Sequence, residues 1–255
     1  MPKKSLLQNS PFTAYNDIFA STVDNPSGDN IMNILLDELH PPSNHPFQVK
    51  CDEAMERLVN NIKENGVLVP GIVRTRTKGG YELISGNRRK MACELAELPT
   101  MPVIIREMDD SSAIIAMVDC NLAQRDTLLF SERAFAYKAK MQALSHKGIK
   151  DEKQSVEILI EQTGESRSQI FRLLKLTELV VDLLNKVDSK QLAFNPAVAL
   201  SHLSIPEQKA VASAMENYGV RPSLSQASKL KKLNTCSSSF ICRVSYYHRG
   251  SFYCT

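Results

Sequence analysis

After Asp52, the apolar positions Met55, Leu58, Val59 and Ile62 recur at helical spacing, and Gly66 stands where a helix would stop, so the pattern predicts a helix over this stretch. Two short β-prone runs follow, Gly71-Ile72-Val73-Arg74-Thr75-Arg76 and Tyr81-Glu82-Leu83-Ile84-Ser85. Lys78-Gly79-Gly80 lies between them, which is the pattern of a β-hairpin. Asn87-Arg88-Arg89-Lys90 then opens a second helix, whose apolar face reads as Met91, Leu95 and Leu98 and which Pro99 ends. Residues 102–106 read as a strand. From Ser111 the pattern turns wholly helical: residues 113–118 and 132–144 are helix candidates, and the polar run 145–153 reads as a loop or linker. Further on, Ser166 with Gln169 and Ser204 with Glu207 fit the capping-box spacing, and Asn195 before Pro196 reads as a cap before a first-turn proline.

These elements predict an α+β protein: a small N-terminal α/β domain at 31–125, followed by an all-α domain at 126–233, with a boundary near Asp126 or within 145–153. Residues 1–30 carry Pro, Ser, Asn and Gly with little periodicity and are expected to form a mobile arm. No repeat of solenoid length is visible.

Composition narrows the class. Of 255 residues, 43% are hydrophobic, too many for a disordered chain, and no apolar run approaches the roughly 18 residues of a membrane span. The polar start lacks a secretory signal, so a cytoplasmic protein is expected. The six cysteines form no CxxC pair and have no His at zinc-finger spacing, which argues against a structural metal. Cys93 and Cys120 lie among apolar neighbours and are expected to be small buried hydrophobes. The net charge of +3 conceals a split: six basic residues and no acid follow Glu216, leaving 25 basic against 28 acidic residues in 1–216. A second basic cluster spans 71–90, where Arg74, Arg76, Lys78, Arg88, Arg89 and Lys90 face Glu82 alone, and a phosphate-bearing ligand is the partner it suggests.

Two constellations could carry chemistry. Residues 155–174 have the order helix, glycine turn, helix: Gly164 can take the positive φ of a sharp turn, and Ile158, Leu159, Ile170, Leu173 and Leu174 supply an apolar wedge. On the second helix Ser166, Arg167, Ser168, Gln169 and Arg172 would then face outward near the end that enters a major groove, where Arg matches guanine and Gln adenine. The same pattern also fits a helical bundle with a solvated polar face, and Asp151, Glu152, Glu157, Glu161 and Glu165 lower the local positive charge. In the second constellation, Gly86 precedes Asn87-Arg88-Arg89-Lys90 at a helix start, where free N–H groups, the helix dipole and cationic side chains converge. An exposed basic first turn is the plainer alternative. No Walker sequence occurs in the chain.

Taken together the boxes resemble the ParB-type partition proteins of chromosomes, plasmids and mobile elements. Residues 66–74 (GVLVPGIVR) and 81–92 (YELISGNRRKMA) are similar to that family's G-V-L-x-P-I-x-V-R and G-E-R-R-x-R-A boxes. Residues 121–126 (NLAQRD) look like its E-N-x-Q-R-[ED] box, and 164–170 (GESRSQI) is close to G-x-S-R-S-x-V. The resemblance spans roughly residues 40 to 205. It implies a sulfiredoxin-like N-terminal fold and a dimeric clamp on double-stranded DNA, associated with the nucleoid. It further implies CTP and Mg²⁺ as ligands and a partition ATPase as partner. Carried onto this sequence, Arg74, Gly86, Asn87, Arg88, Arg89, Asn121 and Arg125 would serve the nucleotide, with Asn121 on the metal side.

The departures are specific. Asn87 and Cys120 stand where the family has Glu, Met91 replaces an Arg, and Ala123 lengthens the third box by one residue. Neutral groups do not replace carboxylates as Mg²⁺ ligands or bases, so nucleotide binding is expected rather than hydrolysis. Sulfiredoxin chemistry needs a cysteine where Asn87 stands, and a metal nuclease needs clustered carboxylates that the basic box lacks. A helix-turn-helix transcription regulator without nucleotide switching is the main alternative, and a nuclease or sulfiredoxin-like enzyme the lesser one. Residues 234–255 hold three cysteines and no acid; they are expected to be a truncated or frame-altered end, or a basic aromatic tail that touches nucleic acid or membrane.

Overall fold

The computed structural model describes residues 31–42, 47, 49, 51–124, 128–149 and 151–234. The expected arm at 1–30 and the tail at 235–255 lie outside the described residues. Two compact units divide the chain: residues up to 127 with 139–158 form one, and 128–138 with 159 onward form the other.

The first unit is built on a five-stranded sheet. Its strands are β1 (Ile31–Leu35), β2 (Leu39–His40), β3 (Gly71–Thr75), β4 (Tyr81–Ser85) and β5 (Thr100–Ile105), in the order β1-β5-β3-β4-β2. β3 and β4 form the expected antiparallel hairpin, β5 runs parallel to β3, and β1 closes one edge antiparallel to β5. Helix α1 (Glu53–Asn65) starts at Asp52, whose carboxylate accepts from the Met55 N–H at 2.9 Å, and stops at Gly66 with φ +70°. It lays Met55, Val59 and Ile62 against Val73, Leu83 and Val103 of the sheet, the apolar burial that holds the unit together.

Helix α2 (Asn87–Leu95) keeps Met91 and, past its end, Leu98 against the core as expected, and departs from the expected face at Leu95. Its fully buried residues are Ala92 and Cys93, Leu95 is 51% exposed, and Ala96 caps the helix before Pro99 is reached. Small side chains let a helix sit close to neighbouring elements, so Ala92 and Cys93 take the most buried positions beside Met91 while Leu95 faces solvent. Helices α3 (Asp110–Gln124) and α4 (Phe130–His146) run longer than their candidate segments, and α3 packs against β4. Within the polar run expected as a loop or linker, α4 extends to His146 and α5 (Glu152–Thr163) already begins at Glu152.

The second unit is all-helical. It comprises α6 (Arg167–Leu176), α7 (Val181–Asp188), α8 (Phe194–Leu200), α9 (Ile205–Tyr218) and α10 (Leu224–Asn234), with the ends of α4 and α5 that belong to it. The capping box at Ser204 and Glu207 is present, with the Glu207 carboxylate accepting from the Ser204 N–H at 2.8 Å. Asn195 is not a cap: α8 starts two residues earlier than expected, at Ala193 as N-cap. Pro196 still fits within its first turn, where no intrahelical N–H donor is needed. Gln208 is 1% exposed and ties three segments: its amide oxygen accepts from Val180 N–H at 2.8 Å, and its Nε2 donates to the carbonyls of Glu178 at 3.2 Å and Leu203 at 3.0 Å.

Candidate nucleotide and nucleic-acid sites

In the first unit the site forms where β4 hands over to α2. Gly86 is the N-cap at φ +118°, a conformation that a side chain would strain, and a Cβ there would come 3.3 Å from Gly71 Cα and 3.6 Å from the Arg89 guanidinium. No side chain caps this helix end, and its first turn carries Arg88, Arg89 and Lys90 with no acid. The dipole makes such cations unfavourable unless an anion joins them.

The structure shows what the three cations touch. Arg88 Nη2 lies 3.4 Å from the Asp52 carboxylate, which helps hold that carboxyl below its ordinary pKa behind the stronger effect of the Met55 N–H. Arg89 Nη1 donates to the carbonyls of Val69 and Pro70, both at 2.6 Å, and so shapes the loop entering β3. Lys90 pairs with Glu94 one turn on, at 2.9 Å. Asn87 is half-buried at the first position of α2.

Helix α3 brings the third box to the same place. Cys120 is 1% exposed, with the Ser85 hydroxyl hydrogen-bonded to its sulfur beside Gly86, and burial pushes its thiol up to about 11. The buried Cys93 thiol is also raised by burial, so both cysteines behave as the neutral small hydrophobes that were expected. Asn121 follows Cys120, its Nδ2 donating to the Met117 carbonyl at 2.7 Å and its amide oxygen remaining as an acceptor. Arg125 lies outside the described residues.

Arg74 is tied to two carboxylates. Its guanidinium binds Glu82 at 2.5 Å and Asp110 at 2.7 Å, and with them it lines a cavity of about 270 Å³ with Ile84, Ala113 and Met117. That cavity lies one turn of α3 from Asn121. Among the described residues no three His, Cys, Asp or Glu side chains come together to hold a metal. Asn121 itself offers one neutral oxygen, far short of a Mg²⁺ shell.

In the second unit, α5, a turn at Gly164 with φ +69°, and α6 make the helix-turn-helix. Leu159, Ile170 and Leu173 are fully buried and lock the helices. Ser166 N-caps α6, its hydroxyl accepting from the Gln169 N–H at 3.3 Å. Ser166, Arg167, Ser168 and Arg172 are exposed and Gln169 is half-buried. Glu165, counted as an acid against DNA, is ion-paired with Arg133 of α4, so it contributes no free negative charge at the turn. Sequence reasoning had no signal for that pair, which joins positions distant along the chain.

The described residues thus combine a mixed five-stranded sheet whose α2 starts with three cations and a helical unit that carries a helix-turn-helix. The model of the ParB N-terminal domain matches residues 20–122. The chromosome-partitioning protein ParB of Caulobacter vibrioides is 30% identical over 230 residues, covering 81% of this chain and 73% of the relative. That of Neisseria meningitidis serogroup A is 31% identical over 195 residues, and the aligned part spans 64% of its length and 76% of this chain. The chain belongs to the ParB family of chromosome-partitioning proteins. Two crystal structures of C-terminally truncated Caulobacter crescentus ParB also match. One, complexed to the centromeric parS site, has a TM-score of 0.46 at 24% identity, covering 79% of this chain and 99% of that one. The other, complexed with CTP-γ-S, has 0.34 at 27%, covering 73% and 99%. Among the described residues no helix is long and apolar enough to cross a membrane.

Proposed function

We propose that this chain is a partition protein that binds double-stranded DNA through α5 and α6 and binds CTP at the start of α2. The observation that carries the nucleotide half is the Gly86 cradle. It presents an open helix N-terminus at positive φ, with Arg88 and Arg89 in the first turn and Asn121 reached through the Ser85–Cys120 contact. A triphosphate would supply the anion that this helix end lacks, with main-chain N–H groups and the Arg88 guanidinium as its donors.

Arg88 and Arg89 have different parts in this reading. Arg88 holds Asp52 at a long 3.4 Å and can exchange it for a phosphate. Arg89 holds two carbonyls at 2.6 Å and keeps the loop before β3 in place. Asn87 and Cys120 offer no carboxylate, so the site binds nucleotide without turning it over at an appreciable rate. Any Mg²⁺ arrives with the phosphates, Asn121 giving at most one ligand. By the family resemblance the chain acts as a homodimer whose clamp closes on DNA when CTP binds, on the nucleoid and with a partition ATPase as partner. DNA recognition rests on Ser166, Arg167, Ser168, Gln169 and Arg172, and nucleotide handling on Arg74, Gly86, Asn87, Arg88, Arg89, Asn121 and Arg125.

Titration calorimetry with CTP, ATP, GTP and UTP in Mg²⁺ tests this. CTP-selective binding is expected, lost in Arg88→Ala with an unchanged melting temperature, whereas Arg89→Ala both loses binding and melts earlier. Binding of none of the four would leave a helix-turn-helix regulator without a nucleotide switch.

A further inference from the structure

Apolar packing alone does not fix how α3 is turned about its own axis. Ile115, Ala116, Met117 and Val118 are buried one after another, so this helix offers apolar surface on every side rather than along one stripe. Burial of such a surface is non-directional and changes little when the helix turns by one residue, about 100°. The polar contacts with α4 do have a direction. Lys147, just past the end of α4, donates to the Ser112 hydroxyl and lies 3.5 Å from Asp109. Ile115 packs on Ala143 and Leu144, and Asp119 is ion-paired with Lys140, so the two helices meet as an antiparallel ladder with one rung per turn. The Asp119 rung is the demanding one, because Lys140 is fully buried and the Asp119 side chain nearly so. Any other register of α3 would strand both charges away from water. The pair thus selects a register more than it adds stability.

We propose that Asp119 and Lys140 are positioning residues for the nucleotide site: their buried ion pair fixes the rotation of α3 that sets Cys120 against Ser85 and carries Asn121 toward the Gly86 cradle. The proposal rests on the nucleotide-binding reading above and names what holds its third box in place. The residues that follow Asp119 are that box. With Asp119 turned to α4, Cys120 lies about 100° further round the helix, where its sulfur meets the Ser85 hydroxyl next to Gly86. Asn121 comes next, its amide held by the Met117 carbonyl one turn back. The Ser85–Cys120 contact cannot set this arrangement by itself, because a thiol is a weak hydrogen-bonding group. Asp119 and Lys140 act through the helix they lock, not by touching the ligand.

The test compares Lys140→Met/Asp119→Leu with the parent, using the full chain and two readouts. The first is labelling by N-ethylmaleimide at pH 8, read by peptide mass mapping at Cys120 and at Cys93. Both thiols are buried, but Cys93 is on α2, so it reports general loosening whereas Cys120 reports the rotation of α3. The double variant is expected to label about tenfold faster at Cys120 and at the parent rate at Cys93, as a local opening would. The second readout is CTP titration, where the double variant should bind about 10- to 100-fold more weakly, the usual loss when a supporting partner of a ligand site is removed. Ile115→Val trims the same α3–α4 packing but keeps the pair; it should melt earlier and leave both readouts within about twofold of the parent. Unchanged labelling at Cys120, equal release of Cys93, or unweakened CTP binding in the double variant would overturn the proposal. A parent chain that binds no nucleotide would overturn the nucleotide reading instead, and the labelling split still decides whether the pair sets the register of α3.

Discussion

Lys140 of α4 is 0% exposed, and its ammonium is ion-paired with Asp119 of α3, whose side chain is 11% exposed. Burial pushes the Asp119 carboxyl above and the Lys140 ammonium below their ordinary values, and their mutual attraction opposes both shifts. A pair of this kind adds little over apolar residues of equal size, but breaking it strands a charge. Lys140→Met is therefore expected to destabilise by about 3–5 kcal/mol. At about 2–4 °C per kcal/mol for a chain of this length, that lowers the melting temperature by roughly 6–20 °C. Lys140→Met/Asp119→Leu should recover most of the loss, because no charge is left behind.

The pH dependence makes the reasoning refutable. In Lys140→Met only burial acts on Asp119, so its folded pKa lies still further above the unfolded value. The folded state then binds the proton more tightly, and stability is regained as pH falls through the raised value. Melting followed by circular dichroism should show a larger defect at pH 8 than at pH 5. The same defect at both, or a double variant as unstable as the single one, would refute a stranded carboxylate as the cause. Because Asp119 adjoins Cys120 and Asn121 on α3, CTP titration of the double variant reports whether the pair also positions the third box.

Three more outcomes follow from single side chains. Gln208→Leu leaves the Val180 N–H and the Leu203 carbonyl without their partner, and thermal melting should show a loss of about 2–4 kcal/mol. Gly86→Ala forces a Cβ at φ +118° against Gly71 and is expected to cost about 1–3 kcal/mol and to abolish CTP binding in calorimetry. For Cys120, whose folded pKa of about 11 exceeds that of an unfolded thiol, stability is full below pH 9 and is lost as pH rises toward 11. Alkaline melts of Cys120→Ala should lack that component, and maleimide mapping at pH 8 should label exposed Cys51 before Cys93 or Cys120.

Much of the first unit was legible because its elements are locally punctuated. Asp52 and Gly66 bracket α1, and glycines separate β3 from β4, so the chain declares these ends through caps and turns. The helix-turn-helix was readable for the same reason, with Gly164 and Ser166 marking its turn. Strand β1 has no such signal: Ile31, Met32 and Leu35 are exposed and only Ile34 is buried, so the alternation of a half-buried strand is absent. Its place is set by pairing with β5, some 70 residues on, which no local pattern records. Likewise α8 announces itself late, since Pro196 tolerates several first-turn positions and the sequence does not choose among them.

Charge was the least legible quantity, because a sum over a segment says nothing about who holds whom. The 71–90 cluster looked like free positive potential, yet Arg74 is held by Glu82 and Asp110, Arg88 by Asp52, and Arg89 by two carbonyls. The acid of the helix-turn-helix turn is likewise held by Arg133. What the fold leaves for an anion is set by the weakest of these ties. At the start of α2 that is the long Arg88–Asp52 contact, in which Asp52 is also the cap of α1. An anion that takes Arg88 therefore also releases part of the load on the Asp52 cap, linking the occupancy of the Gly86 cradle to the end of a second helix through one carboxylate.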